Sequence, residues 1–366
     1  MFSQEKFGIR EAISLITIVI ITKIYFTSPA LLIKFTGTAA WYVTLISALT
    51  AIVGFTFVYL LLRRYPGKNL IEIFEVVWGR SLGSIFSGLL SLWFIAESCI
   101  FLREFTEVLR VYELPLSPTS FIILIFVVGI GVLIFLGLEA IVRFSKLAFP
   151  IFILGFIVVL VLSSLNFNIH HLYPVFGYGI TKSIFHGLIR SSVYGEVIIL
   201  AVFYHSLQGV KYIGKSCYSA IVLSGILNSV SILAYLMTFP YFTAPRIISL
   251  MYEMTKLIDY GRFFQRLDPI FFFIWNVGSF ITVATLFYTG ISIYCMIFRI
   301  QNIKPILVPS LIILYSGAML PQDATVIITG YVQASREYSW IVYYFLPLIT
   351  LIVSKFKGNK GEYSKK

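Results

Sequence analysis

Residues 11–34 read EAISLITIVIITKIYFTSPALLIK, an apolar run with a lysine at its middle and a proline six residues further on. About 20 apolar residues cross a bilayer as a helix, so this run is a membrane span. Lys23 lies about twelve residues from the charged residues at either end, too deep to snorkel easily to the interface. Pro29 removes a backbone donor and frees carbonyls around Tyr25. The segment Thr22-Lys23-Ile24-Tyr25-Phe26-Thr27-Ser28-Pro29 therefore interrupts the helix. A second interruption falls at Ser191-Ser192-Val193-Tyr194-Gly195-Glu196, where Gly195 beside an acid weakens the helix and lets the backbone unwind. The two interruptions fall five helices apart. That is the pattern of two inverted five-helix repeats whose site forms between the broken first helices. The halves show no convincing sequence identity, so the repeat rests on this spacing alone.

Composition agrees with a membrane chain. Of 366 residues, 59% are hydrophobic and 12% charged, about half the charged share of a soluble protein. A mean hydropathy of +0.93 excludes a soluble enzyme, a disordered chain and a secreted disulfide scaffold. Ten spans are predicted, at 11–34, 40–63, 81–110, 119–138, 141–165, 190–210, 216–243, 263–298, 304–321 and 338–354. The third and eighth are long enough to require tilt or projection beyond the lipid. The first is too long for a signal-peptide core and lacks a small-residue cleavage site, so it is expected to remain as an anchor. No soluble domain is present. Repeat one covers about 11–165, repeat two about 190–354, and 355–366 form a short basic tail.

The net charge of +12 would suggest a nucleic-acid partner in a soluble protein; here it reports orientation. With the N-terminus inside, seventeen Lys and Arg fall in inner connections and nine in outer ones, Lys23 and Arg103 lying within spans. Both termini are therefore predicted to be cytoplasmic, and no nucleic-acid partner is expected. The longest connections, about 166–189, 244–262 and 322–337, are then external; the second, with Met251, Tyr252 and Leu257, reads as an amphipathic interfacial helix. Cys99, Cys217 and Cys295 lie in apolar runs without metal spacing and read as packing residues.

The remaining charges are candidates for function, because lipid offers them no hydration. Lys23 either serves a site or reaches water from a tilted helix. Glu97, near the centre of span 3, has no basic residue one helical turn away, so its partner must come from another span; Lys23 is the obvious one. Arg103 and Glu107 are four apart and suited to an intrahelical pair. Glu196 is either a binding residue or an interfacial acid paired with Arg190. His205 reads as a packed histidine. His170 and His171 lack a third ligand for metal.

Several stretches, in order, resemble the B-subunit family of endospore germination receptors, within the amino acid–polyamine–organocation (APC) superfamily. They are Pro29 with Thr38-Ala39-Ala40-Trp41; Leu102-Arg103-Glu104-Phe105 with Leu114-Pro115-Leu116-Ser117-Pro118-Thr119; Gly137-Leu138-Glu139-Ala140-Ile141-Val142-Arg143 with Pro150; Tyr194-Gly195-Glu196; and Arg266-Leu267-Asp268 with Ile270, Phe271 and Trp275. The resemblance implies an all-α integral membrane protein of about ten transmembrane helices with an inverted 5+5 repeat, the LeuT-like APC transporter fold. It implies a subunit of the spore inner membrane that senses small germinants, commonly amino acids, beside an A subunit and a lipoprotein C subunit. It implies no catalytic residue, cofactor or metal. The family usually carries glycine in the span 1 break; here none occurs between Gly8 and Gly37, and Lys23 stands there instead.

These readings place a ligand at the midplane between spans 1, 3, 6 and 8. Its amine would meet Glu196 or Glu97 and carbonyls around Tyr25. Its carboxylate would meet Lys23, or groups at Thr27, Ser28 and Ser192, with Phe101 and Tyr194 as apolar walls beside Gly195. The alternative is a secondary transporter of amino acids or organic cations, because one fold serves both tasks. An intramembrane enzyme would need a nucleophile or His–acid constellation, and none stands out. A channel would show a repeated polar face on one helix, which no span has.

Overall fold

The apolar faces follow helical periodicity and point outward. Along 119–136, Phe121, Leu124, Val128, Val132 and Phe135 are exposed at spacings of three or four, and along 138–163 so are Leu147, Ile151, Leu154 and Val161. A soluble protein rarely leaves such stripes bare. The buried set is conversely rich in Ser, Thr and charged residues, including Lys23, Glu97, Arg103, Glu104, Glu107, Arg190, Glu196 and Arg336.

In the computed structural model, which describes residues 6–261, 268–321 and 323–357, the architecture is all-α. Span 1 consists of α1 (Ile9–Ile21), a 3-10 turn at Thr22–Ile24 and α2 (Ser28–Thr36). It is followed by α3 (Ala40–Arg64), α4 (Leu70–Tyr112), α5 (Thr119–Leu136) and α6 (Leu138–Ser163). Span 6 consists of α7 (Ile180–Ile189), a 3-10 segment at Arg190–Ile198 and α8 (Ile199–Val202). Next come α9 (Val210–Thr238), the short α10 (Leu250–Lys256), α11 (Asp268–Phe298) and α12 (Lys304–Met319). Span 10 comprises α13 (Ala324–Val326), α14 (Gln333–Trp340) and α15 (Leu346–Phe356), joined by π-helical stretches at Ile327–Val332 and Ile341–Phe345.

Local chemistry sets these boundaries. Asn69 caps α4 by accepting from the Glu72 amide at 2.9 Å, while the Glu72 carboxylate accepts from the Asn69 amide at 2.8 Å. Gly79, at φ +81°, breaks α4 near its start, so span 3 proper begins at about the predicted residue 81. Gly137, at φ +94°, makes the abrupt turn between α5 and α6.

Among the described residues, eight helical stretches are long and apolar enough to cross a membrane; α12, at 16 residues, is a shorter apolar helix. The expected first span divides between α1, 13 residues long, and α2, which with α3 forms one of the eight. Two predicted external loops are largely helix. Residues 180–189 form the first half of span 6, and 324–337 extend span 10. Polar residues ended the hydropathy windows early there, although Ser183, Ser335 and Arg336 are buried against protein. Arg262, Arg266, Leu267, the start of the predicted eighth span and tail residues 358–366 lie outside the described residues.

The long packing seams run between α4 and α11 and between α3 and α9. Span 1 lies against α6, α9 and α11, while the span 6 break lies against α3 and α14 and touches α1. The two interruptions therefore meet in the interior.

Candidate functional site

The span 1 break is built without glycine. Thr22 donates its hydroxyl to the Ile18 carbonyl at 2.6 Å, and the chain tightens into a 3-10 turn over Thr22–Ile24. Pro29 occupies the first turn of α2, where no intrahelical donor is needed. The freed carbonyls find donors on other elements. Trp275 Nε1 reaches Thr22 at 3.2 Å, the Tyr235 hydroxyl reaches Ile24 at 3.4 Å, and Ser249 Oγ reaches Tyr25 at 2.5 Å. The carbonyls expected to await a ligand amine are thus already bonded to protein. The Tyr25 ring stacks on Trp275 at 5.3 Å, and Phe101 meets Phe26 edge-on at 5.1 Å.

The span 6 break is a nine-residue 3-10 segment, well beyond the usual three or four. Gly195 serves close packing there, since an added Cβ would run into the Tyr343 ring. Its backbone does not enter the left-handed region. Ser192 Oγ donates to the Ile189 carbonyl at 3.2 Å and accepts from the Trp340 amide at 2.9 Å.

Lys23 and Glu196 close on each other as a buried ion pair, and Lys23 Nζ also donates to the Val193 carbonyl at 2.9 Å. Lys23 is 1% exposed, which removes the reading of a tilted helix reaching water, and Glu196 pairs with Lys23, not Arg190. Glu97 finds a different partner from the one expected. It accepts from the Tyr343 hydroxyl and from Ser335 at 3.3 Å, and faces Arg336 at 3.5 Å. Arg336 also faces Glu104 at 3.5 Å. Glu104 in turn accepts from the Thr27 hydroxyl at 2.5 Å and the Thr27 amide at 3.2 Å. Arg103 and Glu107 do pair within α4, at 3.0 Å, and Arg110 joins them at 3.0 Å.

Beside the Lys23–Glu196 pair lies a cavity of about 30 Å³, lined by Lys23, Ser28, Thr44, Arg190, Tyr194 and Asn228 among others. That is room for roughly two waters. Its walls come from spans 1, 2, 6 and 7, not from the expected 1, 3, 6 and 8. The Tyr194 hydroxyl is held there by Asn228 at 3.0 Å and by Thr44 at 2.8 Å. Of the sequence candidates, Lys23, Ser28 and Tyr194 line this cavity; Thr27 and Glu97 belong to the neighbouring Arg336 network; Phe101 packs on Phe26. Sequence reasoning missed Arg336, Arg190 and Asn228 as site residues. The readable signal for Arg336 was Ser335 and Ser339, one turn apart beside it, a polar face in an otherwise apolar tail.

Residues 244–261 follow α9 and pack back onto the bundle. Helix α10 does form, but Leu250, Met251, Tyr252 and Met254 are buried against protein, with α10 packed on α6, α9 and α11. It is therefore a cap on the bundle and not a helix lying in the lipid interface. Burial pushes the Tyr252 phenol up, and its hydroxyl donates to Glu113 at 2.9 Å. His205 is also not packed inside. It is exposed in a 3-10 turn, with Nε2 3.3 Å from Glu72. His171 Nδ1 lies 3.0 Å from the Met237 carbonyl, and Cys99, Cys217 and Cys295 are buried and free.

Comparison with known proteins agrees with this architecture. Residues 7–327 match the family model described as spore germination protein. Spore germination protein KB of Bacillus subtilis (strain 168) is 23% identical over 336 residues, covering 90% of each chain. Spore germination protein YndE of the same organism is 22% identical over 333 residues, covering 88% of each. Among solved structures, Mhp1, a nucleobase-cation-symport-1 family transporter held closed with bromovinylhydantoin bound, superposes with a TM-score of 0.66 at 12% identity, covering 97% of this chain and 94% of that one. The likeness to Mhp1 establishes the APC-type transporter fold. Germination proteins of this kind are not enzymes. The chain is a multi-pass membrane protein and belongs to the spore germination protein family.

Proposed function

We propose that this protein is the nutrient-sensing membrane subunit of a spore germination receptor. It binds an amino acid or similar small germinant at the midplane and signals to partner subunits, an A subunit and a lipoprotein C subunit. Its setting is the spore inner membrane, with both termini cytoplasmic and with repeats at about 11–165 and 190–354. The observation that carries the reading is the meeting of two broken spans at the buried Lys23–Glu196 pair beside a small cavity that Lys23, Arg190 and Tyr194 help to line.

The mechanism is a ligand-biased equilibrium. Each break lets the outer half of its span move relative to the inner half, and the ion pair ties the two breaks together. A ligand that binds one arrangement better shifts the population toward it. The test is a thermal-stability scan of the protein co-purified with its partner subunits against an amino-acid panel, repeated with Glu196→Gln. A shift in the native protein that Glu196→Gln removes supports the reading; no shift with any compound sinks it.

The second reading, a secondary transporter, is favoured by the Mhp1 fold. Substrate counterflow in proteoliposomes would establish it, whereas binding without flux supports sensing.

A further inference from the structure

The buried cations around the two breaks are not equally satisfied. Lys23 is paired with Glu196, and Arg336 is shared between Glu97 and Glu104. Arg190, the first residue of the span 6 break, is 2% exposed and has no ion-pair partner among the described residues. Its Nη2 donates to the Ser28 carbonyl at 3.3 Å and to Ser28 Oγ at 3.4 Å, and its Nη1 has no hydrogen-bond partner among the described residues. A guanidinium is always charged and offers five donors in a rigid fork. Burying one against a carbonyl and a hydroxyl alone leaves most of its desolvation cost uncompensated.

This arginine lines the small cavity described above. Arg190, Ser28 and Pro29 form part of its wall, and room for roughly two waters is also room for the two oxygens of a carboxylate. Ser28 and Pro29 are the first turn of the nine-residue α2, whose positive end adds to the field in the pocket. The other cation on the cavity wall, Lys23, is already neutralised by Glu196.

We propose that Arg190 is the anchor for the carboxylate of the bound germinant, gripping it with the fork that now carries a free Nη1. This inference rests on the sensor reading above and names the ligand's chemical class, a compact carboxylate-bearing molecule. It assigns Lys23 a different task, holding Glu196 in place at the junction of the breaks. It also supplies the differential affinity the mechanism needs. A carboxylate held between Arg190 on span 6 and the start of α2 on span 1 favours the arrangement in which the two outer halves stand together.

The test uses the full-length protein co-purified with its partner subunits and the twenty L-amino acids, each against its α-amide. Thermal midpoint is followed as a function of ligand concentration. For every amino acid that stabilises the native protein, the amide, lacking the charged carboxylate, should require at least about tenfold more for half-saturation. Arg190→Gln should weaken the acid similarly while leaving the amide unchanged, and Arg190→Lys should recover part of the loss. Acid and amide acting alike, or unchanged half-saturation in Arg190→Gln, would overturn the anchor while leaving the sensor reading intact. Stabilisation by panel members of the native protein only as amides would do the same. Should Arg190→Gln fail to fold, the acid–amide comparison on the native protein decides alone. A native protein that responds to no compound overturns both.

Discussion

The two broken spans reach the same short-pitch geometry by opposite means. Span 1 breaks over Thr22–Ile24 with no glycine, and three side chains from distant elements, Trp275, Tyr235 and Ser249, take up the carbonyls. Span 6 breaks over nine residues that include Ser191, Ser192 and Gly195, needs a tight glycine contact with Tyr343, and carries Arg190 and Glu196 on the break itself. The first break is held by donors from other elements and contributes Lys23, while the second contributes Arg190 and Glu196. A break propped by donors from neighbouring helices needs no glycine; a break packed face to face with another span does.

The largest effect should come from the charges. Glu196→Gln leaves the Lys23 ammonium buried without its carboxylate and with the Val193 carbonyl as its remaining partner, which should cost about 3–5 kcal/mol. The double variant Lys23→Met with Glu196→Gln should recover more than half of that loss, because neither side is then an unpaired charge. Unfolding midpoints of the purified single and double variants check this. If Glu196→Gln proved neutral, the pair would not be what joins the breaks.

Next comes the glycine. Gly195→Ala drives a Cβ into the Tyr343 ring, and overpacking of this kind costs about 1–3 kcal/mol. Truncating the ring in the double variant Gly195→Ala with Tyr343→Ala should make the added methyl nearly neutral against Tyr343→Ala alone. A double-mutant cycle on thermal stability reads the coupling, and additivity of the two would show that Gly195 serves backbone freedom after all.

Much of this was legible in the sequence because lipid makes rare features informative. Lys23, Glu97 and Glu196 stood out as the charges that orientation did not explain, and all three are buried. Pro29 and Gly195 marked the two breaks. What escaped was anything whose meaning depends on a helix far away in the chain. Arg336 and Arg190 sit where hydropathy windows end, and an apolar window cannot tell a polar face turned inward from a loop. The donors that satisfy span 1 come from residues more than 200 positions away, and no local pattern announces them. Gly195 was visible, but its reason was not, since Tyr343 reaches it from span 10.

A smaller effect tests the outside support of span 1. Trp275→Phe keeps most of the ring that Tyr25 and Phe152 pack against and removes the indole donor to Thr22. The Thr22 carbonyl retains the Tyr25 amide at 3.2 Å, so the loss should be that of one ordinary hydrogen bond, about 0.5–1.5 kcal/mol. A markedly greater loss in stability would mean that the span 1 break depends on this single donor and not on the set of three.

The smallest effect should be found where span 1 meets the membrane surface. Lys146 on α6 pairs with Glu11 on α1 at 2.7 Å, but the lysine side chain is 54% exposed. Water screens such a pair and both side chains lose rotamer freedom in forming it, so Lys146→Ala should cost no more than about 0.2–1 kcal/mol. The comparison with Lys23 is direct, since each lysine joins a broken or neighbouring span to an acid across the bundle, and only burial separates them. Raising salt to about 1 M shrinks the Debye length to about 3 Å and should erase the Lys146 effect while leaving that of Glu196→Gln in place. Unfolding midpoints of both variants at low and high salt make the measurement. Equal salt sensitivity would show that water reaches the Lys23–Glu196 pair, and with it that the inner junction of the breaks opens in the unliganded protein.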